Sequence, residues 1–143
     1  MHPMEDASSV ERMLLNKAYK AKVPVNATIE LTPLCNMSCK MCYVHLHPDE
    51  VKMQGGLHSV SEWLQIAEEM KRAGVLFVLL TGGEPLSYPG FKELYTKMHK
   101  MGLILTINTN GTLLNEEWAD FFSYLKPRRI NITPELFMEQ ISD

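Results

Sequence analysis

The sequence has no cysteine outside one short segment, which holds Cys35, Cys39 and Cys42. No fourth thiolate is therefore present to complete a closed four-cysteine metal site. A [4Fe–4S] cluster with four cysteine ligands is coordinatively full and usually only carries electrons. A cluster with three cysteine ligands keeps one iron open to a ligand that can react, as a catalytic zinc keeps an open position. The odd number of cysteines thus favours a reactive site over a structural one.

The chain also lacks an excess of positive charge, a long apolar run and an apolar leader. Its net charge is −3, which gives no electrostatic reason to expect binding to nucleic acid or to an anionic membrane. No apolar run is long enough to span a bilayer, and residues 1–13 lack the basic and apolar regions of a signal peptide. Clustered cysteines without an export signal are typical of a reducing compartment, so we expect a cytoplasmic protein.

A zinc site is the main alternative use of the cysteine segment. His45 and His47 follow it closely, so the composition allows a Cys3His ligand set. Metal content separates the two hypotheses, because a cluster brings iron with acid-labile sulfide and this alternative brings zinc alone. The simpler interpretation of the two histidines is that they are solvated loop residues.

Helical and strand patterns alternate along the chain, which at 143 residues is long enough for one domain with a core. Apolar spacing and capping residues predict helices over residues 8–20, 59–73 and 91–101, and between Asn115 and Pro127. Short apolar or alternating runs predict strands over residues 25–32, 75–80, 103–109 and 129–133. Two further segments are a predicted surface loop over residues 44–58 and a short helix that begins at Pro134.

This alternation predicts an α/β fold of about four parallel strands joined by right-handed crossovers. A closed or partly closed arrangement makes a barrel, and an open one makes a doubly wound sheet. In both arrangements, ligands bind at the carboxyl ends of the strands. We therefore expect function in the loop that follows each strand.

The loops after the first two predicted strands carry the most informative motifs. The first holds the three cysteines, and the second holds residues 81–85, TGGEP. Gly82 and Gly83 remove side chains where the strand ends, so that a ligand can approach the backbone. Glu84 adds a carboxylate, which suits a ligand with a cationic amine.

The loop after the third predicted strand, residues 108–111 (NTNG), is a weaker signal. Its simpler interpretation is an ordinary turn in which Asn110 and Gly111 supply positive φ. Each of three successive predicted strands is followed by a polar loop that contains glycine or cysteine. This repeated agreement is stronger evidence for a functional site at the strand ends than any single motif.

CxxxCxxC after a first strand, followed by GGEP after a second, resembles the radical S-adenosylmethionine (radical SAM) enzyme family. The resemblance covers residues 26–133 and implies a partial (βα) barrel of that family's type over residues 26–143, behind an N-terminal helical extension of residues 1–25. Barrels of the family usually have about six βα units, so we expect a truncated member of the family.

By this resemblance, the three cysteines bind three irons of a [4Fe–4S] cluster, and the fourth iron binds the amino and carboxylate groups of S-adenosylmethionine (SAM). The other residues that would contact the cofactors are Gly82, Gly83, Glu84, Tyr43, Asn108 and Asn131. Of these, the GGE segment would hold the methionyl amino group, and Tyr43 would shield the cluster or lie near the adenine.

The resemblance also implies an activity and partners. Enzymes of the family cleave SAM reductively to methionine and a 5′-deoxyadenosyl radical that abstracts hydrogen from a substrate. The electron comes from a donor such as flavodoxin or ferredoxin. The motifs are most similar to the branch that modifies peptides or builds cofactors, so a peptide is one candidate substrate. The alternatives are a catalytically inactive cluster-binding remnant and the Cys3His zinc module.

Overall fold

Helices and strands alternate in the computed structural model, which describes residues 8–37 and 46–133. The helices are α1 (Ser9–Ala21), α2 (Pro48–Met53), α3 (Val60–Ala73), α4 (Phe91–Lys100) and α5 (Glu116–Tyr124). The strands are β1 (Asn26–Glu30), β2 (Phe77–Thr81), β3 (Ile104–Thr109) and β4 (Arg129–Ile132). Among these described helices, none is both long and apolar enough to cross a membrane.

All four strands form one parallel sheet in the order β1-β2-β3-β4. The register pairs Ile29 with Leu80 and Leu80 with Ile107, so the carboxyl ends of the strands lie at one edge. Each strand pairs with the next one along the chain and the order does not reverse, whereas a doubly wound sheet reverses it at a switch point. The predicted α/β fold of four parallel strands is confirmed, and the strand order is that of a partial barrel.

The core lies between one face of the sheet and the helices that cross over between strands. Alternate side chains of each strand point towards these helices, since successive residues in a strand face opposite sides. The most deeply buried apolar side chains of this layer are Ala67, Val78, Leu80, Phe91, Leu94, Tyr95, Met98, Leu105 and Ile107. The core therefore fixes the register of the strands and, with it, the relative positions of the loops at their carboxyl ends.

The ends of α3 follow the signals seen in the sequence. The Ser59 hydroxyl accepts from the Glu62 N–H at 3.2 Å, and the Glu62 carboxylate accepts from the Ser59 N–H at 2.7 Å. This capping box satisfies two backbone donors at the start of the helix. Gly74 ends the helix in the left-handed region, with a φ of 112°.

One prediction was wrong in this part of the chain, because residues 48–53 of the predicted loop form α2. Pro48 stands at the first helical position, and Asp49 and Glu50 occupy the first turn. Proline is compatible with that position, and acidic side chains there interact favourably with the helix dipole. The short helix predicted from Pro134 lies outside the described residues.

The face of the sheet that points away from the crossover helices carries both polar and apolar side chains, and α1 lines a cavity beside it. The residues that line a cavity of about 320 Å³ on this side include Glu11, Leu15, Thr28, Leu79, Thr106, Asn108, Arg128 and Asn131. Arg128 Nε donates to Glu11 Oε1 at 2.8 Å, and this hydrogen bond keeps the pKa of Glu11 below its ordinary value. Because Arg128 immediately precedes β4, α1 binds at the amino ends of the strands, opposite the loops that carry the motifs.

Candidate functional site

The loops after β1, β2 and β3 meet at the carboxyl edge of the sheet, as the sequence predicted. Of the three cysteines, Cys35 lies in the part of the chain that the structure describes, where it is a free, half-buried thiol. The predicted site residues outside the described ranges are Cys39, Cys42, Tyr43 and the alternative zinc ligand His45. The other alternative ligand, His47, is exposed and lies at the start of α2.

The two glycines after β2 lie directly against the start of the cysteine loop. A Cβ atom on Gly83 would overlap the backbone carbonyl of Leu34, and one on Gly82 would overlap that of Thr32. Because neither glycine has a Cβ atom, the two loops can approach: the N–H of Gly83 donates to the Thr32 carbonyl at 2.6 Å, and the N–H of Glu84 donates to the Leu34 carbonyl at 2.9 Å. Gly82 also adopts a φ of 143°, which side chains disfavour. The glycine pair thus brings two loops into backbone contact immediately before the first cysteine.

This contact gives the glycines a role that the sequence did not indicate. We predicted that they leave room for a ligand at the strand end. The volume that a Cβ atom would occupy is filled by the backbone of the cysteine loop. Contact between Gly82 or Gly83 and a cofactor stays a prediction, and it would have to use the remaining backbone groups of this turn.

The Glu84 side chain connects the loop after β2 to the loop after β3. It is fully buried, with 0% of its surface exposed. Its Oε1 atom accepts from the Thr109 hydroxyl at 2.7 Å and from the Leu86 N–H at 3.1 Å, and its Oε2 atom accepts from the Asn110 N–H at 2.8 Å. The carboxylate therefore faces protein donors, and its predicted contact with a methionyl amino group remains untested.

Asn110 joins the third loop to the cysteine loop. Its Nδ2 atom lies 3.6 Å from Cys35 Sγ and 2.9 Å from Asn36 Oδ1. The Asn36 amide in turn donates to the Thr112 hydroxyl at 2.8 Å. We call Cys35, Asn36, Asn110 and Thr112 the loop cluster. Our sequence prediction assigned Asn110 no site role, although its position after β3, at the same edge as the cysteines, was a signal that it lies near them.

The turn interpretation of Asn110 and Gly111 was half correct. Gly111 has a φ of 79°, as a turn glycine would. Among the described non-glycine residues, Lys22 is the one with positive φ, so Asn110 does not adopt the left-handed conformation that we predicted. The residue type at position 110 is therefore explained by its side-chain contacts, which include an Asx-turn hydrogen bond from the Thr112 N–H at 3.0 Å, and not by a left-handed backbone.

Asn108 and Asn131 lie close to each other but away from the loop cluster. Asn131 Nδ2 donates to Asn108 Oδ1 at 2.8 Å, as the pairing of β3 with β4 aligns the two residues. Both line the cavity on the face of the sheet that points away from the crossover helices. Their predicted contact with a cofactor remains untested.

The described part of the site can supply one of the thiolate ligands that an iron–sulfur cluster requires. A free thiol at the junction of three loops can supply a thiolate, which is a soft and anionic donor suited to iron. The Asn110 amide offers this sulfur an N–H donor, and hydrogen bonds to ligating sulfur atoms are typical of cluster environments. The residues present thus fit the predicted cluster as far as the structure describes them.

Comparison with known proteins places the chain among radical SAM proteins. Residues 29–141 match the Radical SAM superfamily. The chain is 29% identical over 106 residues to the sporulation killing factor maturation protein SkfB of Bacillus subtilis (strain 168), covering 72% of this chain and 24% of SkfB. It is 31% identical over 108 residues to the antilisterial bacteriocin subtilosin biosynthesis protein AlbA of the same strain, covering 76% and 23%. The chain therefore spans about a quarter of the length of these curated relatives.

Solved structures have the same fold. Streptococcus suis SuiB bound to S-adenosylmethionine superimposes with a TM-score of 0.62 at 23% identity, over 85% of this chain and 28% of SuiB. SuiB bound to its precursor peptide SuiA gives the same TM-score and identity, over 85% and 27%. Together with the family match over most of the sequence, this common architecture leads to one conclusion: the chain belongs to the Radical SAM superfamily.

Proposed function

We propose that this chain forms the cluster-binding and SAM-binding part of a radical SAM enzyme. Cys35, Cys39 and Cys42 would hold three irons of a [4Fe–4S] cluster. When bound, the cluster would supply the electron that cleaves SAM to methionine and a 5′-deoxyadenosyl radical, which takes a hydrogen atom from the substrate. The observation that carries this proposal is the convergence of three strand-end loops at Cys35, where the start of the cysteine segment lies against the GGEP turn.

The chain's own residues would hold this site in shape. Gly82 and Gly83 seat the start of the cysteine loop through backbone contacts. Glu84 ties the GGEP turn to the loop after β3 through buried hydrogen bonds. We propose that remaining backbone groups of the GGE turn bind the amino group of SAM, and that Asn108 and Asn131 bind polar groups of SAM or substrate from the cavity.

We propose that the substrate is a peptide, which the enzyme modifies. SkfB and AlbA are named for killing-factor maturation and bacteriocin biosynthesis, and SuiB has been solved with a precursor peptide. Thiolates kept free for a cluster suit a reducing compartment, so we propose a cytoplasmic site of action with flavodoxin or ferredoxin as electron donor.

Anaerobic reconstitution with iron and sulfide tests the proposal. We expect bound iron with acid-labile sulfide, and an electron paramagnetic resonance (EPR) signal of the reduced cluster that changes when SAM is added. Cys39→Ala should abolish iron loading, and Ser38→Ala, in the same loop, is the matched control that should retain it. Zinc without sulfide would instead favour the Cys3His module.

The same spectra separate an enzyme from a remnant. A reduced-cluster signal that does not respond to SAM would indicate a cluster-binding remnant without a SAM site. Formation of 5′-deoxyadenosine from SAM under reducing conditions would demonstrate cleavage directly.

A further inference from the structure

The Asn110 side chain has an orientation that its neighbours fix. Its Oδ1 atom accepts from the Thr112 N–H at 3.0 Å and from the Thr112 hydroxyl at 2.7 Å. A backbone N–H can only donate, so the amide oxygen must face it and the amide NH2 group must point the other way. That NH2 group faces Asn36 Oδ1 at 2.9 Å and Cys35 Sγ at 3.6 Å. An N–H group is thus directed at the sulfur by contacts that do not involve the sulfur.

This contact suits a metal-bound cysteine better than a free one. Cys35 Sγ also lies 3.9 Å from Asn36 Oδ1, and in that contact only a protonated thiol can donate. A metal ligand is a thiolate, which has no proton to donate. In the contact with Asn110 the sulfur is the acceptor, and a hydrogen bond to an anionic acceptor is stronger than one to a neutral acceptor. Metal ligation of Cys35 would therefore remove the hydrogen bond to Asn36 Oδ1 and strengthen the one from the Asn110 amide.

The backbone of Asn110 is held as firmly as its side chain. Its N–H donates to Oε2 of the fully buried Glu84 at 2.8 Å. The preceding residue, Thr109, is 5% exposed and donates its hydroxyl to the other oxygen of the same carboxylate. A donor anchored at both its main chain and its amide oxygen can act on the sulfur with a smaller entropic cost when the cluster binds.

We propose that Asn110 is a positioning residue that donates an N–H···S hydrogen bond to Cys35 as a cluster ligand and thereby raises the reduction potential of the cluster. The inference rests on the proposed function. Reduction adds negative charge that the sulfur ligands share, so a donor to one sulfur stabilises the reduced state more than the oxidised state. Hydrogen bonds to sulfur are among the features that set the potentials of iron–sulfur clusters.

The test is an EPR-monitored redox titration of the whole reconstituted chain without SAM. In Asn110→Ala, we expect the equilibrium constant for cluster reduction to fall about threefold to tenfold, equivalent to a potential roughly 30 to 60 mV lower for a one-electron couple. Asn110→Asp should lower the potential further, because it removes the donor and places a negative charge beside the sulfur.

Two control variants separate this effect from a loss of structure. Asn16→Ala removes the same side-chain amide from the exposed side of α1, away from the loop cluster, so it should keep the wild-type potential. Asn16→Asp adds the same charge on the exposed side of α1 and should also leave the potential unchanged. A wild-type potential in Asn110→Ala, or an equal shift in Asn16→Ala, would overturn the inference.

Cluster uptake by the variants and by the wild type also tests the inference. If both Asn110 variants fail to take up a cluster that Asn16→Ala takes up, Asn110 is needed for assembly and the proposed effect on potential is overturned. A wild-type chain that binds no iron would overturn the proposed function and this inference together. Loaded variants with unchanged potentials would overturn this inference alone.

Discussion

Replacing Glu84 by glutamine should destabilise the chain by about 2–4 kcal/mol, although the two side chains have nearly the same shape. The buried carboxylate accepts hydrogen bonds from the Thr109 hydroxyl and from the N–H groups of Leu86 and Asn110. A glutamine amide has one acceptor oxygen, so in either orientation its NH2 group faces one of the two backbone N–H groups. The backbone donor left without an acceptor costs about 1–3 kcal/mol, and the weaker neutral hydrogen bonds cost about 1 kcal/mol more.

Urea unfolding followed by circular dichroism measures this loss. With a typical slope of about 2 kcal/mol per molar urea, the midpoint of Glu84→Gln should fall by about 1–2 M. Glu93→Gln is the matched control, because Glu93 pairs with Lys97 on the exposed surface of α4 and should cost less than about 0.5 kcal/mol. Hydrogen exchange of the Asn110 amide should accelerate in the Glu84 variant only. If Glu84→Gln costs no more than the control, the three donors do not need a two-oxygen acceptor and the reasoning is refuted.

Two further changes test other contacts. In Gly83→Ala, the new methyl group would overlap the Leu34 carbonyl, so iron uptake should fall below half of the wild-type value. Gly55→Ala is the control, because its methyl group meets no atom within 4 Å and only the positive φ of 98° has a cost, so this variant should take up iron normally. Equal iron uptake by both variants would contradict the seating role of the glycines. The pKa of Glu11 is lowered by its hydrogen bond from Arg128, so the stability it adds is present above its ordinary pKa and is lost as pH falls through the lowered value. Because both side chains are partly exposed, the Glu11–Arg128 pair should contribute under about 1 kcal/mol to the free energy of unfolding. The free energies of unfolding at pH 6 and pH 3 should therefore differ less in Glu11→Gln than in the wild type. An identical difference in both proteins would argue against the contact.

The fold was predictable from the sequence because its signals are local. Ser59, Glu62 and Gly74 set the ends of α3 through contacts within one turn of the chain. The alternation of such helices with short apolar strands then leaves few topologies. Helix α2 was missed because six residues are too few to show an apolar period, and because the two glycines beyond it indicated a loop. The start signals at Pro48 and Glu50 were present, but they do not give the length of a helix.

The candidate site was predictable in position but not in its contacts. The strand-end rule located the loops correctly, because it depends only on the order of elements. The approach of Gly83 to Leu34 depends on the pairing of β1 with β2, which no local pattern reveals. Asn110 satisfied a local explanation as a turn residue, and its contact with Cys35, which is 75 positions away, was therefore not foreseen.

The ion pair that holds α1 against the sheet also constrains how the chain is made. Glu11 and Arg128 are 117 residues apart in sequence, so the helix leaves the ribosome long before its partner has been synthesised. At about 5–20 residues per second, the wait is roughly 6 to 23 seconds. During that interval α1 lacks the hydrogen bond to Arg128 that ties it to the amino end of the sheet. A nascent chain that has not yet reached Arg128 thus cannot form this hydrogen bond, and α1 would be more open to chaperones and proteases until it does.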